Sequence, residues 1–367
     1  MDFTLLSPSA QVAAYLREEL MRGRWTGTMP GGPALAKELG VDGKTVWSAL
    51  GQLEKEGLLI AQGPGKRRKI ADLKDMDTPA LRVAILDYEP LEQSEDWTFG
   101  MQKTLLSQGH SAYFTEKSLS ELGNDVRRVA RQVKQTPADA WIVCSGSRDV
   151  LEWFSKQETP AFAMFGRRRR LPIAGVGPDH VSAGCDAVQR LIELGHKRIV
   201  KVSRESQLAG GLGSTESAIF DLMKSHGLPT SPYNLPSWKN NAEGLHRMLE
   251  ELFRFTPPTA LLIDEPFIFH AVKDYLAQRG IVAPSHVSLI CSDPDHTFSW
   301  SKPTIAHIRW DHGPVVRRVV QWVNNIAKGK NDLRQTLTKA EFVEGGTVGR
   351  VPQSRYGQPF GHIHSSR

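Results

Sequence analysis

Carboxylates, arginines and aromatic rings recur at the ends of short apolar runs in this 367-residue chain: Asp87-Tyr88, Ser145 to Arg148, Gly166-Arg167, Asp264-Glu265 and Ser292-Asp293. Ligands of open α/β sheets gather beyond the carboxyl ends of strands, where loops and helix N-termini converge. Asp and Arg can each grip two neighbouring hydroxyls, and an aromatic face covers the apolar side of a sugar ring. Asp293, Asp264, Glu265 and Arg148 are therefore candidate polar contacts and Trp97 and Trp238 candidate faces, with Phe99 and Trp300 also available. A simpler role competes at several of them: Asp264 and Asp293 as helix caps, Trp97 and Trp300 as rings closing a cleft, and Arg167 to Arg170 as a solvated loop. Bond-making chemistry has no such support. The sequence contains no Gly-Xaa-Ser-Xaa-Gly elbow, no His-Glu-Xaa-Xaa-His, no Cys-Xaa-Xaa-Cys and no phosphate loop ending in Gly-Lys-Ser/Thr. Gly210-Gly211-Leu212-Gly213-Ser214 precedes a helix but lacks that lysine and reads as a flexible connection. The histidines are scattered, His362 and His364 lying in the tail. No catalytic residue, metal site or cofactor is expected.

The elements that must position these residues alternate. Strands are expected at 83–86, 112–114, 140–144, 161–165, 173–176, 199–202, 261–263 and 288–291, and helices at 99–108, 126–134, 180–194, 215–226, 242–253 and 267–279. Continuous apolar strands between amphipathic helices imply parallel sheets covered on both faces. About 265 residues in this pattern suit two lobes.

A different pattern occupies Pro30 to Ile70. Leu35, Ala36 and Leu39 fit one short helix, Gly40-Val41 a turn, and Asp42 a cap for a second helix over 44–56. Val46, Ala49, Leu50 and Leu53 form its buried stripe, leaving Lys44, Thr45, Trp47 and Ser48 outward at its first turns. A helix offering its first turn outward can enter a major groove. Gly57 stops it, 58–61 reads as a strand, and Gly63-Pro64-Gly65 turns into Lys66-Arg67-Arg68-Lys69. This is a winged helix-turn-helix, whose outward helix residues and four wing bases are the candidate DNA contacts. An opening helix over 9–22 packs behind it.

Net charge is +6, modest for the length, with the head's positive charge concentrated at Lys66 to Lys69. Three widely separated cysteines, Cys144, Cys185 and Cys291, suggest reduced core residues and a cytoplasmic protein. A basic leader with a long apolar run and any 18-residue apolar window are both missing, so no membrane partner is expected. The expected organisation is a head over 1–72, a linker over 73–80, a two-lobed domain over 81–345 and a disordered basic tail over 346–367.

The head resembles the GntR-type winged helix through Leu35-Ala36, Leu39-Gly40-Val41, Thr45-Val46, Ala49-Leu50 and Leu53-Glu54-Lys55-Glu56-Gly57-Leu58. It departs at Pro33, Gly43 and Trp47, where that family commonly has arginines, so a different DNA sequence is expected to be read. Residues 81–345 resemble the sensor of the LacI/GalR family, similar to periplasmic binding proteins (type I). That likeness is carried by Leu194-Gly195-His196-Lys197-Arg198-Ile199, His226-Gly227-Leu228-Pro229, Pro258 to Leu262, Gly280 to Asp293 and Pro303-Thr304-Ile305. Here Asp264-Glu265 replaces the family's Asn-Asp, and Thr215 stands where a ligand-holding arginine is usual. Together the resemblances imply an α/β regulator that is not an enzyme: a homodimer that binds a double-stranded DNA operator and answers to a small-molecule effector, most simply a saccharide. Two alternatives stay open, a sensor reduced to a dimerisation body and an enzyme or carrier on the same two-lobed fold.

Overall fold

Asp42 opens the second helix of the head by accepting hydrogen bonds from the backbone N–H groups of Lys44 at 2.8 Å and Thr45 at 3.0 Å. These are two of the orphan donors at a helix start, and a carboxylate there also favours the helix dipole. The computed structural model describes residues 7–21, 24–25, 27–56, 58–63, 66–70, 79–93, 96–204 and 211–352. Gly57, Pro64, Gly65, Gly210, most of the expected linker and the tail from 353, with its two histidines, lie outside the described residues. The chain divides into two units between Pro79 and Ala80.

In the first unit α1 (Pro8–Met21), α2 (Gly32–Leu39) and α3 (Gly43–Lys55) precede β1 (Leu59–Ile60) and β2 (Lys69–Ile70). Gly40 ends α2 in the left-handed region at φ 64°, its N–H returning to Ala36 O, which is the reason glycine stands there. Leu16, Leu20, Leu35, Val46, Leu50, Leu53, Leu58 and Ile70 form one core. The wing strands pair antiparallel, Leu59 with Ile70, and Lys69 also bridges Thr28.

The second unit contains two sheets. The first runs β12-β7-β6-β5-β3-β4, parallel throughout, from β3 (Arg82–Leu86), β4 (Ser111–Phe114), β5 (Ala140–Cys144), β6 (Ala161–Met164), β7 (Ala174–Pro178) and β12 (Gln335–Thr338). The second runs β13-β11-β10-β9-β8, from β8 (Ile199–Val202), β9 (Ala260–Ile263), β10 (Ser288–Cys291), β11 (Ala306–Trp310) and β13 (Ala340–Val343). It is parallel except at β13. The chain crosses between lobes after Pro178, after Trp310 and at Lys339. The helices are α4 (Asp96–Ser107), α5 (Val126–Gln135), α6 (Arg148–Phe154), α7 (His180–Glu193), α8 (Ser214–Ser225), α9 (Ala242–Phe255), α10 (Pro266–Ala277) and α11 (His312–Ala327).

The expected strands and helices fall within a few residues of those observed. α6, α11, β11, β12 and β13 were not expected. The domain also runs further than 345. Thr347 Oγ1 accepts from Ala306 N at 2.9 Å and donates to Leu289 O at 2.7 Å, and Gly349 O accepts from His196 Nε2 at 2.9 Å. Residues 346–352 thus belong to the second lobe, because they complete its buried backbone hydrogen bonds. Among the described residues no helix is long and apolar enough to cross a membrane.

Replacing Thr347 by valine keeps the shape but strands the Ala306 N–H and Leu289 carbonyl in a buried position. The expected cost is about 1–3 kcal/mol in urea unfolding, at an unchanged slope against urea.

Candidate functional site

The outward side of α3 carries Lys44, Trp47 and Ser48 exposed, with Thr45 half-buried beside its cap Asp42. On the wing Lys66, Arg67 and Lys69 are exposed. Arg68 is not free in the same way. Its guanidinium pairs with Glu54 of α3 and lies 4.7 Å from the centroid of the Trp47 ring. Of the four wing bases, Arg68 is the one that is half-buried.

In the second unit the carboxyl ends of the two sheets bring most of the expected acids together, already occupied. Lys201, a charged residue inside buried β8, pairs with Asp264 and stands 3.6 Å from Glu216 of α8. Burial works against its charge, but Asp264 and Glu216 more than offset that, so its pKa lies above the ordinary value. Arg204, just past β8, reaches Glu89 of the first lobe at 2.6 Å and Glu265 of the second at 2.6 Å. Its guanidinium carbon lies 5.6 Å from the Tyr88 ring centroid and 4.8 Å from that of Phe267. Burial pushes Glu265 up to about 7 although Arg204 pulls the other way. His180, at the start of α7, is driven down to about 4 by loss of solvent and by Lys201, against the pull of Asp264 and Asp179. Its Nε2 is 3.5 Å from Asp293.

Neither Asp264 nor Asp293 caps a helix with its side chain. Asp293 accepts from Trp310 Nε1 at 2.9 Å. The Trp310 ring in turn packs edge-on to Trp97 at 6.3 Å and Phe165 at 5.5 Å, and Trp97 stacks on His312 at 5.0 Å. Trp97 and Asp293 are therefore partners in one aromatic hinge where the chain recrosses. Trp238 lies elsewhere, 6% exposed in the core of the second lobe with Val200, Leu245 and Leu249, because a Trp between apolar helix and sheet faces buries more area than one at a rim. Arg148 opens α6 and donates to Arg169 O at 2.8 Å, tying that helix to the arginine loop. That loop is only partly solvated: Arg168 lies across glycines 175 and 177 of β7, and burial lowers its pKa to about 10.

Lys201, Arg204, His180, Glu216, Glu89 and Trp310 were missed from the sequence. Lys201 alone carried a readable signal, a cation within the apolar run Ile-Val-Lys-Val. Between His180, Lys201, Thr215, Glu216, Asp264 and Ser292 a cavity of about 80 Å³ remains.

Because its pKa in the fold is raised above the unfolded value, Glu265 stabilises the domain below about pH 4.5, and that contribution is lost as pH rises through about 7. Glu265→Gln is expected to remove up to one proton from the pH dependence of unfolding in that window. An unchanged dependence would show that Glu265 is not the titrating group.

Residues 8–65 match the gntR family of bacterial regulatory proteins, and residues 188–348 match the periplasmic binding protein-like domain. No curated protein matches the chain. Similar solved structures include the Escherichia coli transcriptional repressor ascG, at 15% identity and TM-score 0.56, covering 73% of this chain and 99% of that one. A LacI family transcriptional regulator from Enterococcus faecium with bound ribose has 16% identity and TM-score 0.57, covering 73% and 99%. The lac repressor dimer bound to operator and the anti-inducer ONPF has 13% identity and TM-score 0.60, covering 76% and 97%. At these identities the likeness is one of fold. The chain joins a gntR-type winged-helix DNA-binding head to a two-lobed domain of the periplasmic-binding-protein-like fold.

Proposed function

We propose that the protein is a transcription regulator of the cytoplasm whose head binds a double-stranded DNA operator as a homodimer and whose two-lobed domain answers to a small polar effector, most simply a saccharide. The observation that carries this reading is the seam between the lobes. Five buried polar atoms there make no hydrogen bond: His180 Nε2, Ser203 Oγ, Arg204 Nε, Arg168 Nε and Thr338 Oγ1. Buried polar groups are nearly always satisfied, so five at the carboxyl ends of facing strands point to a polar ligand. The similar structures from Enterococcus faecium and of the lac repressor hold ribose and ONPF.

The cavity of about 80 Å³ is far below the roughly 300–1,000 Å³ of ordinary ligand pockets. A saccharide enters only when the lobes part, which separates Arg204 from Glu89. Effector and operator need only favour different lobe arrangements for one to control the other. A second reading, a dimerisation body without effector, is favoured by one observation: Lys201 and Arg204 already satisfy Asp264 and Glu265.

Selection of binding sites from random duplex DNA, with and without a panel of mono- and oligosaccharides, is expected to yield one operator whose affinity at least one sugar shifts by about 5–150-fold. Thermal unfolding against the same panel separates the readings. No stabilisation by any sugar, with operator binding intact, favours the dimerisation body, whereas no selected DNA at all removes the regulator.

A further inference from the structure

The head presents one large ring where polar side chains would be expected. Trp47 is 56% exposed on α3, yet it is held from two sides. The Arg68 guanidinium covers it at 4.7 Å and is itself anchored by Glu54. On the other side Gly32 opens α2 so close that a Cβ there would come within 3.2 Å of Trp47 Nε1. The wing backbone is fixed as well, since Met29 N donates to Arg68 O at 2.8 Å. An exposed indole normally loses rotamer freedom only when it binds something; this one has lost it beforehand.

Two positions of the helix beside the ring carry no side chain. Gly43 and Gly51 lie four residues before and four after Trp47, one turn to either side of it along α3, and a Cβ at either would meet nothing within 4 Å. Glycine weakens a helix relative to alanine, and nothing inside the head requires it at these positions. The missing side chains at these two positions leave room for the close approach of an outside body.

Resting on the DNA-binding reading of the head, we propose that Trp47 determines its sequence specificity by packing against the C5-methyl group of a thymine in the major groove. Arg68 is the positioning residue that holds the indole, and it does not contact phosphate. The major groove displays the thymine methyl beside the donor and acceptor pattern of the bases, and apolar side chains read it. Lys66, Arg67 and Lys69 remain as the phosphate contacts of the wing.

The test uses the full chain and its selected operator. Thymines are replaced singly by deoxyuridine, which removes only the methyl, and the salt dependence of binding is measured alongside. Wild type is expected to lose about fourfold in affinity at one such position, the ratio that corresponds to burying one methyl group. Trp47→Ala should be indifferent to that replacement. Arg68→Ala should keep the salt slope and lose the response to the methyl, and Arg68→Lys, which keeps the wing charge without the planar stack, should behave likewise. Lys66→Ala should lower the slope by about 0.9 and keep the response. Gly51→Ala should raise the melting temperature while weakening operator binding, which separates a DNA effect from loss of fold. The proposal is overturned if no deoxyuridine position matters to wild type, or if Arg68→Ala lowers the slope by about 0.9 and leaves the methyl response intact. Absence of any selected operator would instead remove the DNA-binding reading beneath it.

Discussion

One guanidinium ties the second unit together. Arg204 is 5% exposed and sits between Glu89 of one lobe and Glu265 of the other, with the rings of Tyr88 and Phe267 against it. Removing a charge from water costs several kcal/mol, and only well-placed partners repay it. Here the partners come from different lobes, so the favourable geometry exists only while the lobes are together. Lys201 has the opposite character: Asp264 and Glu216 both belong to the second lobe, so its pairing is independent of the first.

The aromatic hinge follows the same division. Trp310 ends β11 in the second sheet, and its N–H is fixed by Asp293 of that lobe, while its ring packs among Trp97, Phe165 and His312. A single side chain thus spans the point where the chain recrosses. Asp293, which from sequence suits a ligand hydroxyl, has a structural duty in this arrangement.

The sequence made the scaffold legible and the wiring much less so. Periodicity alone placed α3 because Val46, Ala49, Leu50 and Leu53 fall on one stripe and Asp42 stands at the cap. Strands such as Ala140–Cys144 and Ser288–Cys291 were visible because both faces are buried and the apolar run is unbroken. β12 and β13 escaped because they are edge strands with mixed exposure and no run to read. α11 escaped for another reason: Val315, Val319, Trp322 and Val323 do fall at helical spacing, but paired valines and arginines resemble a strand. Ion pairs such as Arg204 with Glu89 join residues 115 apart in sequence, and no local pattern encodes them. Arg68 shows the limit most clearly, since nothing in its basic run encodes its pairing with Glu54 or its packing on Trp47.

Parting the lobes differs from mutating a charge away. Truncating one partner of a buried pair leaves the other stranded and costs on the order of 3–5 kcal/mol. Separation instead returns Glu89 to water and leaves Arg204 with Glu265, so both charges keep favourable surroundings. The cost of release is therefore smaller, closer to the roughly 0–1 kcal/mol of a solvated pair plus the loss of the Tyr88 and Trp97 contacts. A ligand offsets that cost only through its difference in affinity for the two arrangements. A population moved from one arrangement to the other needs about 5.5 kcal/mol of differential binding. Were Arg204 enclosed by carboxylates of a single lobe, as Lys201 is, parting the lobes would break no ion pair, so the division of its partners between Glu89 and Glu265 is what makes Arg204 respond to the lobe arrangement.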